Sequence, residues 1–117
     1  LPHVMSPPWL HQAHIAPTKL IDYLLNHEHP VGQAKARFFN ELGFQRSNWT
    51  ELRAALISHA ERGATQVLPL GPFGQKYLVR GTIYGPDGRA ALLLAVWIRT
   101  ARSAGPRLVT AYPEEPL

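Results

Sequence analysis

Residues 75–99 read QKYLVRGTIY-GPDG-RAALLLAVWIR, and this stretch decides the fold class. Apolar and polar side chains alternate through much of 75–84, and 89–99 is the most apolar run of the chain, which is typical of two neighbouring strands. Between them, Gly85-Pro86-Asp87-Gly88 is a strong turn sequence, because proline presets its own φ and glycine tolerates a positive φ. The stretch therefore predicts an antiparallel β-hairpin.

On either side of this hairpin, the chain divides into a helical half and a strand half. Further strands are predicted at residues 65–70 and 107–112, where short alternating segments lie next to turn residues. Upstream, apolar residues spaced by three and four positions, together with capping residues, predict helices over 18–26, 31–42 and 48–62. This segregated order predicts an α+β domain with N-terminal helices, about three of them, packed on one face of a four-stranded antiparallel sheet.

Length and composition set the domain boundaries. The chain has 117 residues, which suits one domain. Residues 1–16 are rich in proline and histidine without a sustained period, so we interpret them as a linker or N-terminal arm and residues 17–117 as a single α+β domain. The sequence does not begin with methionine and has no signal-peptide pattern, so we expect a fragment of a longer chain or a processed chain, and if the protein is exported its export signal lies elsewhere.

The turn also predicts which side chains share a face of the sheet. If Tyr84 pairs with Arg89, Lys76 lies opposite Trp97, and the alternation of side chains gives two sets. The expected core face carries Tyr77, Val79, Ile83, Leu92, Leu94, Val96 and Ile98. The expected open face carries Lys76, Leu78, Arg80, Thr82, Leu93, Trp97 and Arg99, joined by Leu108, Thr110 and Tyr112 of the last strand. Such a mixture of cations, hydroxyls and aromatic rings can hold a polyanion and stack a base, although an ordinary solvated face has the same pattern.

Charge and composition argue against several kinds of site. The formal net charge is +4, which favours approach to nucleic acid or another anionic surface. The chain has no cysteine, which excludes disulfides and thiolate sites, and no long apolar run, so no membrane-spanning segment is expected. The histidine pairs His11-x-x-His14 and His27-x-His29 lack a carboxylate or cysteine at ligand spacing, so we expect neither a metal nor a cofactor.

Seven short motifs follow one another along the chain. They are Lys19-Leu20-x-x-Tyr23-Leu24-Leu25, His29-Pro30-x-Gly32-x-x-Lys35-Ala36-Arg37-x-Phe39, Leu42-Gly43-Phe44, Gly74-x-Lys76-Tyr77, Gly85-x-x-Gly88, Trp97-Ile98 and Pro106-Arg107-Leu108-Val109-Thr110-Ala111-Tyr112-Pro113. Over residues 17–113 they resemble an uncharacterised bacterial domain family, found alone and at the ends of filamentous-haemagglutinin-like or phage-associated proteins. More distantly, that family resembles the barnase/EndoU/colicin E5–D/RelE group of ribonuclease toxins.

The resemblance implies both a fold and a function. Toxins of that group have an N-terminal helical part followed by a four-stranded antiparallel sheet, and they cleave RNA without a metal, commonly through the ribose 2′-hydroxyl. We therefore expect a metal-independent endoribonuclease toxin domain of the C-terminal polymorphic or contact-dependent type, secreted as part of a larger bacterial protein. It would cleave tRNA or another RNA in the cytoplasm of the target cell. Its producer would need a cognate immunity protein, which we expect to be acidic because the toxin is basic.

Cleavage through the 2′-hydroxyl identifies candidate residues. A base must take the 2′-hydroxyl proton, an acid must protonate the leaving 5′-oxygen, and cations must stabilise the phosphorane. The candidate catalytic residues are His29 as base or acid, Lys35 as phosphorane stabiliser, and Thr110 and Tyr112 as hydroxyl donors to a phosphate. The candidate substrate-binding residues are Lys76, Arg80, Trp97, Arg99 and Arg107, as phosphate contacts and a base platform.

Each of these residues also has an ordinary structural interpretation, and two other functions stay open. His29 can simply end a loop, Lys35 can be a solvated helix residue, and Trp97 more often packs in a core than stacks a base. The alternative functions are a non-catalytic module that binds nucleic acid or protein through the same face, and a metal-dependent DNase.

Overall fold

A four-stranded antiparallel sheet forms one layer of the domain. The computed structural model describes residues 7–114. Its strands are β1 (Ala64–Pro69), β2 (Gly74–Tyr84), β3 (Ala90–Thr100) and β4 (Arg107–Pro113). They lie in the order β1-β2-β3-β4, so each strand pairs with its neighbour in sequence.

Three helices precede the sheet and pack on one of its faces. Helix α1 begins as an α-helical turn, Pro17–Lys19, and continues as a π-helical segment, Leu20–Leu24. Helices α2 (Gln33–Glu41) and α3 (Trp49–Arg62) follow, with short 3₁₀ turns at Pro8–Gln12 and Arg46–Asn48. The predicted α+β fold is confirmed. Within residues 7–114, none of these helices has the length and apolar character needed to cross a membrane.

The hairpin register differs by one residue from the prediction. Tyr84 pairs with Ala90 rather than Arg89, so five residues rather than four separate Tyr84 from its partner. The N–H of Gly88 donates to the carbonyl of Gly85 at 3.0 Å, and Gly88 has φ +90°. A type I turn followed by a glycine in the left-handed region closes a three-residue loop and shifts the partner strand by one position.

This shift exchanges the two faces of β3. Leu93, Ala95 and Trp97 face the helices and are fully buried, while Leu92, Leu94, Val96 and Ile98 share the opposite, open face with Lys76, Leu78 and Arg80. On that face, Leu94 and Val96 are still only 6% exposed. The predicted faces of β2 are unchanged, since Tyr77, Val79 and Ile83 are buried in the core. The predicted role of Trp97 as a base platform is therefore wrong: its ring is 0% exposed.

Residues 8–15 pack on the domain and do not form a free linker. The Trp9 ring stacks on Tyr77 with 4.8 Å between centroids and meets Trp97 edge-on at 5.5 Å. Leu10 and Ile15 are buried in the same core. This arm therefore completes the hydrophobic core, and the predicted segment 1–16 extends beyond the described residues at positions 1–6.

A second feature of the core is one buried histidine on α3. His59 is 1% exposed, and its Nε2 lies 2.9 Å from the carbonyl oxygen of Leu93. Burial lowers the pKa of His59 below its ordinary value of 6.5, because desolvation disfavours the charged ring. The neutral ring then donates Nε2–H to the Leu93 carbonyl and ties α3 to β3.

Candidate functional site

A cleft lies at the outer edge of β4, where α1 and the loop before α2 reach the sheet. Its volume is about 460 Å³. It is lined by Lys19, Tyr23, His29, Val31, Val109 and Thr110. We call this the edge cleft. Four of its six lining side chains carry a polar group, and all four come from segments that the fold brings together rather than from one motif.

Tyr23 lies at the centre of the edge cleft. Its hydroxyl and the Thr110 hydroxyl form a hydrogen bond of 3.0 Å across 87 residues of sequence. Two ammonium groups flank its ring: Lys19 Nζ lies 5.2 Å and Lys35 Nζ 5.7 Å from the ring centroid. Tyr23 belongs to the π-helical part of α1, a wider turn that is frequent at functional sites.

The loop between α1 and α2 holds His29 against Tyr23. The two rings meet edge-on with 5.0 Å between centroids. Gly32 lets the loop approach this closely, because a Cβ at that position would overlap the Tyr23 carbonyl oxygen. The backbone N–H groups of Val31 and Gly32 both donate to His29 Nδ1, each at 3.0 Å.

These two bonds determine the tautomer of the neutral His29 ring. A ring nitrogen that accepts hydrogen bonds carries no proton, so the neutral ring has its proton on Nε2. Within residues 7–114, Nε2 forms no hydrogen bond with the protein. His29 therefore offers the edge cleft an N–H donor. Because residues 31 and 32 form these bonds, α2 begins at Gln33 and not at residue 31 as predicted. Val31 is therefore 62% exposed and does not belong to the apolar stripe of the helix.

A bulge in β4 directs two consecutive residues into the edge cleft. Val96 pairs with Thr110 and Trp97 with Leu108, so Val109 is an extra residue in β4. Such a bulge breaks the alternation of side chains, and both Val109 and Thr110 line the cleft. Further along β4, the half-exposed Tyr112 ring lies 6.0 Å from Lys35 Nζ, which places Lys35 between two tyrosines.

The four predicted catalytic residues therefore lie together. His29 and Thr110 line the edge cleft. Lys35 lies next to the ring of Tyr23, which also lines the cleft, and Tyr112 lies next to Lys35. Sequence reasoning missed Tyr23, which the helical period placed on an apolar face, and Lys19. A usable signal was present, because Lys19 and Tyr23 are four residues apart and thus neighbours on a helix surface.

The five predicted substrate-binding residues are dispersed. Lys76 and Arg80 lie on the open face of the sheet, where Arg80 Nε donates to Glu114 Oε1 at 2.8 Å. Trp97 is in the core. Arg99 lies at the far end of β3 and donates to Gln75 at 3.2 Å, and Arg107 begins β4 beside the N-terminal arm. None of these five residues lines the edge cleft.

The edge cleft differs from a larger groove between the N-terminal arm and α3. That groove has a volume of about 650 Å³, and half of its ten lining residues are apolar; the other five are His14, Thr50, Arg53, Ser58 and Glu61. Its carboxylate opposes a phosphate, whereas no acidic side chain of residues 7–114 lines the edge cleft. Across residues 7–114, no three His, Asp or Glu side chains lie close enough to hold a metal ion.

The model of the family described as Domain of unknown function (DUF6883) matches residues 7–115. The chain belongs to the DUF6883 family. No curated protein matches this DUF6883 domain.

A solved structure with the same fold is a chain of the contact-dependent growth inhibition toxin–immunity protein complex from Klebsiella pneumoniae 342. The TM-score is 0.68 with 14% identity, and the match covers 94% of this DUF6883 domain and 100% of that chain. At this identity the likeness shows a shared fold over nearly the whole domain.

Proposed function

We propose that this domain is a metal-independent endoribonuclease toxin module that cleaves RNA at the edge cleft. The observation that carries the proposal is the convergence of two lysine ammonium groups, an imidazole N–H and two hydroxyls at one cleft. Neither lysine forms an ion pair with a carboxylate within residues 7–114. Cleavage of a phosphodiester requires cations that stabilise the charged phosphorane and groups that transfer protons, and unpaired ammonium groups and hydroxyls can serve these purposes.

The cations and the imidazole would bind the scissile phosphate. The Nζ atoms of Lys19 and Lys35 lie 5.2 and 5.7 Å from the centre of the Tyr23 ring, so a phosphate at the Tyr23 hydroxyl would lie near both ammonium groups. Charge on the phosphorane oxygens grows in the transition state, and fixed donors stabilise that charge more than the ground state. The Nε2–H of His29 would donate to a non-bridging oxygen, so we assign His29 to binding charge rather than to accepting a proton.

The hydroxyl pair would handle the proton of the 2′-hydroxyl. Tyr23 and Thr110 are hydrogen-bonded at 3.0 Å, and either oxygen can be the donor. We assign to them a relay in which Tyr23 takes the 2′-hydroxyl proton as it passes its own to Thr110 and on to solvent. The ammonium of Lys35 would protonate the leaving 5′-oxygen. Tyr112, exposed beside Lys35, would contact the neighbouring nucleotide.

The biological setting of the proposal is competition between bacteria. The structurally similar chain comes from a complex whose name contains both a contact-dependent growth inhibition toxin and an immunity protein. The net charge of +4 favours the toxin side, because RNA is a polyanion. The domain would be delivered from a larger secreted protein, act in the target-cell cytoplasm on tRNA or another RNA, and be neutralised in its producer by an acidic immunity protein.

A second candidate function is a non-catalytic binding module. The structurally similar complex also supports it, because that complex includes an immunity protein and an immunity protein has no chemistry to perform. In that case the edge cleft would recognise an anionic group on a partner without cleaving it. The two functions differ in a single observable, turnover of RNA in the absence of metal.

The experiment is digestion of total RNA and tRNA by purified protein in excess EDTA, together with growth on cytoplasmic expression. Wild type should cleave RNA and arrest growth. Lys35→Gln should lower the rate by roughly 100-fold, the usual contribution of one positioned catalytic group. Arg37→Gln, which removes an exposed cation from the same helix, is the matched control and should leave the rate unchanged.

His29→Asn separates structure from chemistry at the loop. The asparagine side-chain oxygen can accept the Val31 and Gly32 N–H groups, but it cannot place a donor where Nε2–H lies. The variant should fold normally and lose most activity. If wild type neither cleaves RNA nor arrests growth, the binding module is the better account. Activity that requires Mg²⁺ and acts on DNA would instead identify a nuclease of the metal-dependent kind.

A further inference from the structure

The turn between β1 and β2 is an exposed apolar projection at one end of the sheet. Its residues 69–73 read Pro-Leu-Gly-Pro-Phe, all five are exposed, and none has a polar side chain. Phe73 is 72% exposed and Leu70 38%. We call these five residues the hairpin tip. Contiguous exposed apolar side chains of this kind mark interaction sites rather than ordinary surface.

The hairpin tip is held rigidly. The N–H of Ala101 donates to the Phe73 carbonyl at 3.0 Å, and the N–H of Leu70 donates to the Gly74 carbonyl at 2.9 Å. Gly74 has φ +138° and packs so closely on Arg99 that a Cβ there would overlap the Arg99 carbonyl oxygen. The backbone that carries the exposed phenyl ring is therefore held in a defined position, which lowers the entropy lost on binding.

Cations lie next to the base of the hairpin tip. Lys76 and Arg99 lie within two residues of Gly74 and its β3 partner, and Arg102 follows the residue that bonds to Phe73. Within residues 7–114 none of these three forms an ion pair. Between Glu61 and Glu114 the sequence contains a single carboxylate, Asp87, in the turn at the opposite end of the β2–β3 hairpin.

We propose that the hairpin tip is a docking surface for the interface of an anionic lipid bilayer. Phe73 and Leu70 would enter the boundary between headgroups and acyl chains, and Lys76, Arg99 and Arg102 would contact lipid phosphates. An apolar insertion of a few side chains combined with a cationic collar is how peripheral proteins bind such membranes. This inference is independent of RNA cleavage at the edge cleft.

Other occupants fit the hairpin tip less well. A stable protein interface needs roughly 800 Å² on each partner, more than a five-residue turn supplies. A second copy would bring two cationic collars together. Single-stranded RNA would find one ring to stack on, but Leu70 and the two prolines offer neither stacking nor hydrogen bonds.

Vesicle co-sedimentation tests the proposal with the intact chain. Wild type should bind phosphatidylcholine vesicles that contain phosphatidylglycerol, and bind vesicles of phosphatidylcholine alone much more weakly. Phe73→Ser should weaken partition about tenfold, the effect of losing one large inserted side chain. Tyr84→Ser is the matched control, because Tyr84 is 49% exposed at the opposite end of the same strand, and it should bind as wild type does.

A spectroscopic readout keeps the test decisive if a variant folds poorly. The chain has no cysteine, so Phe73→Cys and Tyr84→Cys each give a single labelling site. An environment-sensitive dye at position 73 should shift to the blue on phosphatidylglycerol vesicles, and a dye at position 84 should not. Absence of wild-type binding, an unshifted dye at position 73, or a tip-dependent dimer or RNA complex in place of vesicle binding would overturn the proposal.

Discussion

The edge cleft and the contact between α3 and the sheet each hold one histidine whose ring bonds to the backbone, yet they place it in opposite settings. His59 is 1% exposed, and its Nε2–H donates a hydrogen bond to the Leu93 carbonyl. His29 receives two backbone N–H groups at Nδ1 and turns its other nitrogen toward the cleft. The same side chain therefore ties the core together in one place and offers a donor to a ligand in the other.

The surroundings of the two rings follow the same division. Glycines next to His59, at positions 63 and 81, let α3 approach β2 so closely that a Cβ on Gly81 would lie 3.1 Å from the Gly63 Cα. The region around His29 is instead open and contains cations that no carboxylate neutralises within the described chain. Burial assigns His59 to stability, and unpaired charge assigns His29 to binding.

The strongest test of this division is Tyr23→Phe. The change removes the hydroxyl that contacts Thr110 and keeps the ring that supports His29, Lys19 and Lys35. We expect RNA cleavage to fall by roughly 100-fold or more, while the free energy of unfolding falls by only about 1 kcal/mol. Rates on tRNA and urea denaturation measure the two effects. A rate within a few-fold of wild type would remove Tyr23 from the relay.

Two glycines allow a matched comparison of the two regions. A Cβ at Gly32 would overlap the Tyr23 carbonyl oxygen, and a Cβ at Gly63 would lie 2.6 Å from Val79 Cγ1. Gly32→Ala and Gly63→Ala should each lower the free energy of unfolding by about 1–3 kcal/mol, the usual cost of forcing atoms into a packed site.

Their effects on cleavage should differ. Gly32→Ala displaces the loop that carries His29, so the rate per folded molecule should fall about tenfold, since even a small misplacement of a binding group is costly. Gly63→Ala should leave that rate unchanged after correction for the folded fraction. Equal rates for the two variants would mean that His29 acts only as a loop residue.

The order and bounds of the elements were predictable from sequence because they depend on local periodicity. Strands predicted at 75–84 and 107–112 are observed at Gly74–Tyr84 and Arg107–Pro113. The register was predicted wrongly, because it depends on the positive φ of Gly88. The turn sequence contained the signal, since proline at the second position and glycine at the fourth favour a type I turn with a bulge.

The candidate site was predictable only in part. The resemblance to a known family directed attention to His29, Lys35, Thr110 and Tyr112, which the fold brings together at β4. Tyr23 was not found, because its role comes from a contact with Thr110 across 87 residues and from a π-helical turn, and neither follows from helical spacing. The prediction that the open face binds substrate relied on the alternation of side chains. Alternation shows that Arg80 is exposed but not that Glu114 pairs with it.

Acid should destabilise the contact between His59 of α3 and the Leu93 carbonyl of β3. The pKa of His59 is lowered by desolvation in the folded protein, so near and below 6.5 the unfolded chain binds more protons than the folded one. The contribution of His59 to the free energy of unfolding should therefore be fully present above that pH. Below it, this contribution should fall by at most about 1.4 kcal/mol per pH unit.

Urea denaturation between about pH 7 and pH 5 measures this dependence. In His59→Gln the amide can still donate to the Leu93 carbonyl but does not titrate in this range, so the dependence should become shallower. A variant with the same slope as wild type would mean that other groups control stability in acid and that His59 is not the buried, neutral counterpart of His29.

The smallest expected effect is that of Arg80→Gln on the open face. Arg80 and Glu114 form an exposed ion pair at 2.8 Å, with side chains 45% and 33% exposed. Such pairs contribute about 0–1 kcal/mol because water and salt screen them, so stability should hardly change. The KM for RNA should also stay within twofold, whereas Lys35→Gln lowers the rate. A severalfold rise in KM for Arg80→Gln would mean that RNA crosses the open face on its way to β4, and the edge cleft would then be one part of a longer binding track rather than the whole site.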